Sequence, residues 1–215
     1  MKQLMKTFYF VRHGQSQGNL DKVMCGRFNT TLTELGRKQA NACGEYLSTK
    51  GIQALISSDL VRASETAQII NKHLNLDLKF DSRLQERACG IFEGVAFEDA
   101  KQNDAFDKFM NNSQFNVEGG ETISALYERI SYFMHDLVKT NSFERILLVS
   151  HGGVLWTLVP FVLGVPIDDY EGYIGMDNCS VTEVVWEEGR GFVLSRLNIA
   201  NHLDSLGDSR PSWHF

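Results

Sequence analysis

The hydrophobic positions of this chain change period repeatedly, from unbroken runs to one apolar face in 3.6 residues and back, and this alternation predicts its elements. Phe8-Tyr9-Phe10-Val11 is a continuous aromatic and β-branched run, the composition of a strand buried on both faces. A helix is expected from about Thr33 to Leu47. Its N-cap is either Thr31, with Glu34 three residues on, or Thr33, and Lys50-Gly51 is its stop. Ile52 to Ser57 reads as a second short strand. Ser58-Asp59 then reads as the N-cap of an amphipathic helix carrying Ala63, Ala67, Ile70 and Leu74 on one face. Leu78 to Phe80 is a third strand, and Ile123, Leu126, Ile130, Phe133, Met134 and Leu137 mark the most strongly periodic helix. Arg145 to Ser150 is a buried strand, followed by an apolar helix over Val154 to Gly164 that Pro160 should kink or break. Ser180 to Trp186 and Gly191 to Ser195 close the pattern as an edge hairpin across Glu188-Gly189-Arg190.

Strands alternating with helices predict an α/β fold, a three-layer sandwich with a mainly parallel central sheet and helices on both faces. The 215 residues fit one domain, 1–215. The periodicity lapses between Gly94 and Gly120, which reads as an inserted cap of short helices at about 94–120. Phe97, Phe106, Phe109 and Phe115 within it read as a small satellite core. Asn19 to Thr31 reads as a polar loop.

Composition narrows the function classes. A net charge of -6 argues against a general binder of nucleic acid or anionic membrane, so any recognition of anions must be local. The four cysteines, Cys25, Cys43, Cys89 and Cys179, form no C-x-x-C pair, which suits free thiols in a reducing compartment. The apolar run in Met1 to Val11 is too short for a signal peptide and lacks a small-residue cleavage site, and a cytoplasmic protein is expected. No run reaches the roughly 20 apolar residues of a transmembrane helix.

The candidate chemistry sits where strands end. The first buried run breaks into Arg12-His13-Gly14, and in open α/β sheets ligands bind outside the carboxyl ends of strands. Arg12 offers a permanent cationic fork, His13 a nitrogen that is nucleophilic when neutral, and Gly14 room for close backbone approach. A lone His in this position ordinarily just caps its strand. Here the motif recurs: Ser150-His151-Gly152-Gly153 again joins a buried strand to a helix through glycines that expose N–H groups to an anion. Arg62 lies in the first turn of a helix, where a cation opposes the dipole by about 0.3 to 1 kcal/mol unless an anion is held nearby. Glu86, between Arg83 and Arg87, is either a surface ion pair worth little or a general acid. His202 and His214, in the tail, are given structural roles or none.

Taken in order, Arg12-His13-Gly14 with Asn19, Ser57-Ser58 with Arg62-Ala63 and Thr66-Ala67, Glu86 before Gly90 and Glu93-Gly94, and Ser150-His151-Gly152-Gly153 resemble the histidine phosphatase superfamily. The closest likeness is to its small phosphatase branch, with the phosphoglycerate-mutase-like fold. The resemblance spans nearly the whole chain, to Asn201-His202-Leu203. It implies that His13 is the residue that becomes phosphorylated and that Arg12, Arg62 and His151, with Gly152, form the phosphate pocket. Asn19 supports the pocket and Glu86 protonates the leaving group. It implies no cofactor and no metal, and a small phosphorylated substrate as the partner, with a monomer and a homodimer both open. Gln15-Ser16 stand where the family commonly has an acidic residue and Thr, and Asn29 and Thr31 where Asp and Pro are common; these positions bear on substrate identity.

Three activities follow: a phosphatase acting on a phosphomonoester of a small metabolite, a phosphoglycerate-type phosphomutase, or a non-catalytic phospho-ligand sensor. Gln85 to Gly94 is similar to the phosphatase version of this stretch, and the acidic segment Glu93 to Glu118 disfavours a second phosphate site. Retention of all five polar residues disfavours the sensor.

Overall fold

The computed structural model describes residues 4–170 and 174–206. Its sheet has six strands: β1 Met5–Arg12, β2 Ala54–Ser57, β3 Leu78–Phe80, β4 Arg145–Ser150, β5 Val181–Glu187 and β6 Gly191–Ile199. They lie in the order β3-β2-β4-β1-β5-β6. The first four in that order are mutually parallel; β5 adds antiparallel to β1, and β6 pairs antiparallel with β5 at the edge. The helices are α1 Gln17–Leu20, α2 Glu34–Ser48, α3 Val61–Leu74, α4 Phe97–Ala100, α5 Phe106–Asn111, α6 Ile123–Thr140 and α7 Gly152–Leu163.

Successive side chains of a strand point to opposite faces, and the unbroken runs are explained by both faces being covered. Phe8 and Phe10 of β1, with Ile146 and Leu148 of β4, pack with Leu126, Ile130 and Phe133 of α6 and Leu155 and Leu158 of α7. Tyr9, Val11, Leu147 and Val149 point the other way, onto Ala40, Cys43 and Leu47 of α2 and Ala63, Ala67 and Ile70 of α3. This is the expected three-layer α/β sandwich. A third cluster, Phe92, Phe97, Phe106 and Phe109 with Phe115 beside it, forms a small satellite core of its own. Bridges Val23 to Ala96 and Cys89 to Gly120 tie the 94–120 segment to the body.

Several boundaries differ from the sequence reading. The Thr33 hydroxyl accepts from Gly36 N–H, so Thr33 and not Thr31 caps α2. Ser58-Asp59 does not cap α3: Leu60 is the N-cap residue and supplies no side-chain bond. The Ser58 hydroxyl is instead shared between Leu60 N–H and His151. The Asn19 to Thr31 loop is shortened by α1, which Ser16 caps through a reciprocal box with Asn19. The helix after β4 starts at Gly152 and runs unbroken through Pro160. Proline removes one helix bond there, and burial of Leu158, Val159 and Val162 around that turn outweighs the loss. β6 extends to Ile199, which pairs with Val181 of β5 beyond an irregularity in the register. All four cysteines are free. His202 stacks on Tyr46, 4.9 Å between ring centres, and bonds the Cys179 carbonyl, a structural role. His214 lies outside the described residues. No helix among the described residues is long and apolar enough to cross a membrane.

Candidate active site

The register of the parallel strands assembles the site. Arg12 pairs with Ser150 across β1 and β4, and the next residue, His13, donates its N–H to the Ser150 carbonyl at 2.9 Å. The two strand-ending histidines therefore emerge side by side, with ring centres 5.2 Å apart. Ser58 leaves β2 one strand over, donating its N–H to the Val149 carbonyl, and its hydroxyl meets His151 Nε2 at 2.8 Å. Thr66 of α3 accepts the Gly14 N–H at 3.0 Å. At Gly14 a Cβ would come within 2.5 Å of the Gly36 carbonyl oxygen, so only glycine lets the turn lie against α2.

His13 is nearly inaccessible, 4% exposed. Its Nδ1 lies 2.8 Å from the Gly14 carbonyl, which only accepts, so the ring proton sits on Nδ1 and the lone pair on Nε2. Arg62 donates from Nε to that nitrogen at 3.2 Å. The other Arg62 nitrogens hold the Phe28 and Gly26 carbonyls at 3.0 and 2.7 Å, which fixes the guanidinium in place. Arg12 donates to the Met176 carbonyl and lies across Gly152, where a Cβ would be 3.5 Å from its Nε. Glu86 is oriented by two backbone donors, Arg87 N–H to Oε1 at 2.8 Å and Gly153 N–H to Oε2 at 3.0 Å.

These groups meet at one cavity of about 210 Å³, lined by Arg12, His13, Asn19, Arg62, Glu86 and Gly152 among others. His151 stands behind His13 and is not part of that lining. Its Nδ1 is buried without a hydrogen-bond partner among the described residues. Asn19 brings a contact that its sequence did not foretell: Asn178 Nδ2 donates to Asn19 Oδ1 at 3.3 Å and to the His13 carbonyl at 2.9 Å. Ser16 N–H also donates to Asn19 Oδ1, so the oxygen is occupied and the Asn19 NH₂ is left for the cavity. The polar run Asp177-Asn178 directly before β5 is the one sequence signal of Asn178. Among the described residues no group of three His, Cys, Asp or Glu side chains is placed to hold a metal ion.

The electrostatics separate the possible nucleophiles. Cys25 and Cys89 share the cavity wall with His13. Burial pushes both thiols up, Cys89 to about 12, so they remain protonated and weakly nucleophilic at neutral pH. For His13 burial comes first and the Arg62 and Arg12 cations second, and all three hold the imidazole well below its usual range. His151 is lowered for the same reasons, burial before Arg62 and His13. A lowered imidazole is a neutral, nucleophilic one at pH 7. The unfolded chain takes up protons on both histidines below about pH 6.5, and the folded chain resists doing so. Stability present above that pH is therefore lost as the pH falls towards the lowered folded values. A proton NMR titration of the free protein should show the His13 ring still neutral at pH 6. A His13 midpoint at 6.5 or higher contradicts this electrostatic picture.

The family model of the histidine phosphatase superfamily (branch 1) matches residues 8–200. The probable phosphoglycerate mutase GpmB of Salmonella paratyphi B is 32% identical over 208 residues, covering 94% of this chain and 96% of its own. The solved mycobacterial glucosyl-3-phosphoglycerate phosphatase in complex with VO₃ superposes with a TM-score of 0.81 at 28% identity. It covers 90% of this chain and 99% of its own. The alpha-ribazole phosphatase of Shigella flexneri does so with a TM-score of 0.80 at 27% identity, over 89% and 96%. With its paired strand-end histidines and nearly full-length match, this chain belongs to the histidine phosphatase superfamily.

Proposed function

We propose that the protein is a phosphatase that hydrolyses a phosphomonoester of a small metabolite through a phosphohistidine on His13. The observation that carries this reading is the His13 ring itself, neutral, with Nδ1 tied to Gly14 and Nε2 turned to the Arg62 guanidinium. A phosphoryl oxygen arriving at Arg62 takes over its N–H and frees the Nε2 lone pair for phosphorus. The N–P bond forms as the ester P–O bond breaks, and the departing alkoxide takes the Glu86 proton. In the second step water attacks phosphorus, Glu86 accepts its proton, and the N–P bond electrons return to Nε2. Arg12, Arg62, Asn19 and the Gly152 backbone line the phosphate pocket, and His151 backs His13 from behind it. Fixed donors around the phosphoryl oxygens stabilise their charge without having to reorganise.

Phosphatase is preferred to mutase because a mutase acting on phosphoglycerate must also hold a carboxylate, and the rest of the cavity lining is largely apolar. Incubation with a panel of monoesters that includes 3-phosphoglycerate tests this. Inorganic phosphate should accumulate with no interconversion of phosphoglycerates, and formation of 2-phosphoglycerate without phosphate release overturns the reading.

Gly153 gives a sharp check on Glu86. A Cβ there would fall 2.4 Å from Glu86 Oε1, so Gly153→Ala must move the carboxyl group. Displacing a catalytic group by about 1 Å costs on the order of 10²-fold in kcat. Alanine also favours a helix by up to about 1 kcal/mol over glycine, so stability should hold or rise while activity falls. Full activity in Gly153→Ala removes Glu86 from its role.

A further inference from the structure

The cavity lining falls into two chemical sets. One is polar and cationic, with Arg12, His13 and Arg62. The other is apolar, with Met24, Phe109, Met110, Leu126, Trp156 and Met176. These residues come from the loop after α1, from α5 of the cap, from α6 and α7, and from the segment before β5, so five separate parts of the chain supply apolar groups to one wall.

We propose that the substrate is a phosphate monoester whose alcohol is apolar, ring-sized and free of a second anion; this rests on the phosphatase reading above and names its substrate class. Size comes first. A phosphoryl group takes roughly two waters' worth of the cavity, about 60 Å³, and leaves about 150 Å³, the size of an engineered apolar cavity that takes up benzene. Chemistry agrees with size. Three methionines and a tryptophan offer a polarizable, adaptable surface to an aliphatic or aromatic group. A carboxylate or a row of hydroxyls placed there loses its water and gains no partner.

Among the described residues, the one further cation lining the cavity is already engaged. Arg87 donates from Nε to the Glu121 carbonyl and from Nη2 to the Phe109 carbonyl, both at 2.8 Å. Its guanidinium lies 3.7 Å from the centre of the Phe109 ring. Arg87 thus braces the aromatic wall. Trp156 of α7 and Met110 of α5 are only half-buried, so either can be replaced without emptying a core.

Binding of non-hydrolysable phosphonates to the intact protein, followed by calorimetry, tests the proposal independently of turnover. Benzylphosphonate should bind about 10- to 100-fold more tightly than methylphosphonate, the gain expected for burying one ring, with a more negative heat-capacity change. Phosphonoacetate should bind no better than methylphosphonate. Trp156→Ala and Met110→Lys should each shrink the benzyl-to-methyl ratio several-fold. The proposal is overturned if phosphonoacetate binds best, if the benzyl-to-methyl ratio is near one or survives both substitutions, or if none of the three binds. Selective binding of benzylphosphonate without hydrolysis of any monoester leaves the substrate pocket standing and sinks the phosphatase reading. Hydrolysis that favours phosphoglycerate does the reverse.

Discussion

His13→Ala should lower phosphate release on the order of 10⁶-fold, the scale on which loss of a covalent nucleophile is felt in other enzymes. The size follows from the lack of a substitute. Cys25 and Cys89 are held as thiols by burial, and His151 stands outside the cavity lining with its Nε2 engaged by Ser58. The fold should survive, because His13 holds its neighbours through one ring contact to the Gly14 carbonyl and one to Arg62. Arg62 keeps its two carbonyl partners in the variant. Vanadate or phosphate binding measured by calorimetry should therefore persist while turnover is lost. Turnover within tenfold of the parent would place the nucleophile elsewhere.

Glu86→Gln should produce the second largest effect, and an unequal one. An alkyl alkoxide needs a proton as the P–O bond breaks, whereas a nitrophenolate leaves without one. Glutamine keeps the shape and the capacity to accept from Arg87 and Gly153 N–H, but it has no carboxylic proton to give. Formation of the phosphoenzyme from an alkyl phosphate should slow by roughly 10² to 10⁴-fold, and from an aryl phosphate much less. The comparison belongs in single-turnover kinetics, since the later hydrolysis uses Glu86 as base and slows equally for both. Equal losses in the first step would make Glu86 a positioning group.

The features legible in the sequence are those that short-range pattern controls. Phe8 to Val11 and Arg145 to Ser150 announced two buried strands because both of their faces are covered, and polar residues at their ends had to emerge together once the strands lay parallel. Arg12, His13, Arg62 and Glu86 accordingly converge on one cavity, with His151 adjoining His13. What stayed hidden depends on tertiary placement. Asn178 reaches His13 and Asn19 only because β5 returns antiparallel along β1, and nothing local to Asp177-Asn178 encodes that neighbour. Ser58 looked like a helix cap because Ser-Asp before a helix usually is one, and the His151 ring claims its hydroxyl instead. The aromatic residues of 94–120 read as a satellite core, and they are one. That the same segment turns Phe109 and Met110 to the phosphate cavity depends on how the cap docks, and periodicity carries no signal of docking.

The claim on which all of this depends is that His13 accepts the phosphoryl group, and the most direct measurement is to trap it there. Enzyme mixed with ³²P-labelled monoester should be quenched in alkaline denaturant during the burst, since phosphohistidine survives base and is lost in acid, and then digested and mapped by mass spectrometry. The prediction is one acid-labile, base-stable label on the peptide that contains His13, absent from His13→Ala. Label on a serine, or none at all while the burst of alcohol product is visible, would contradict it.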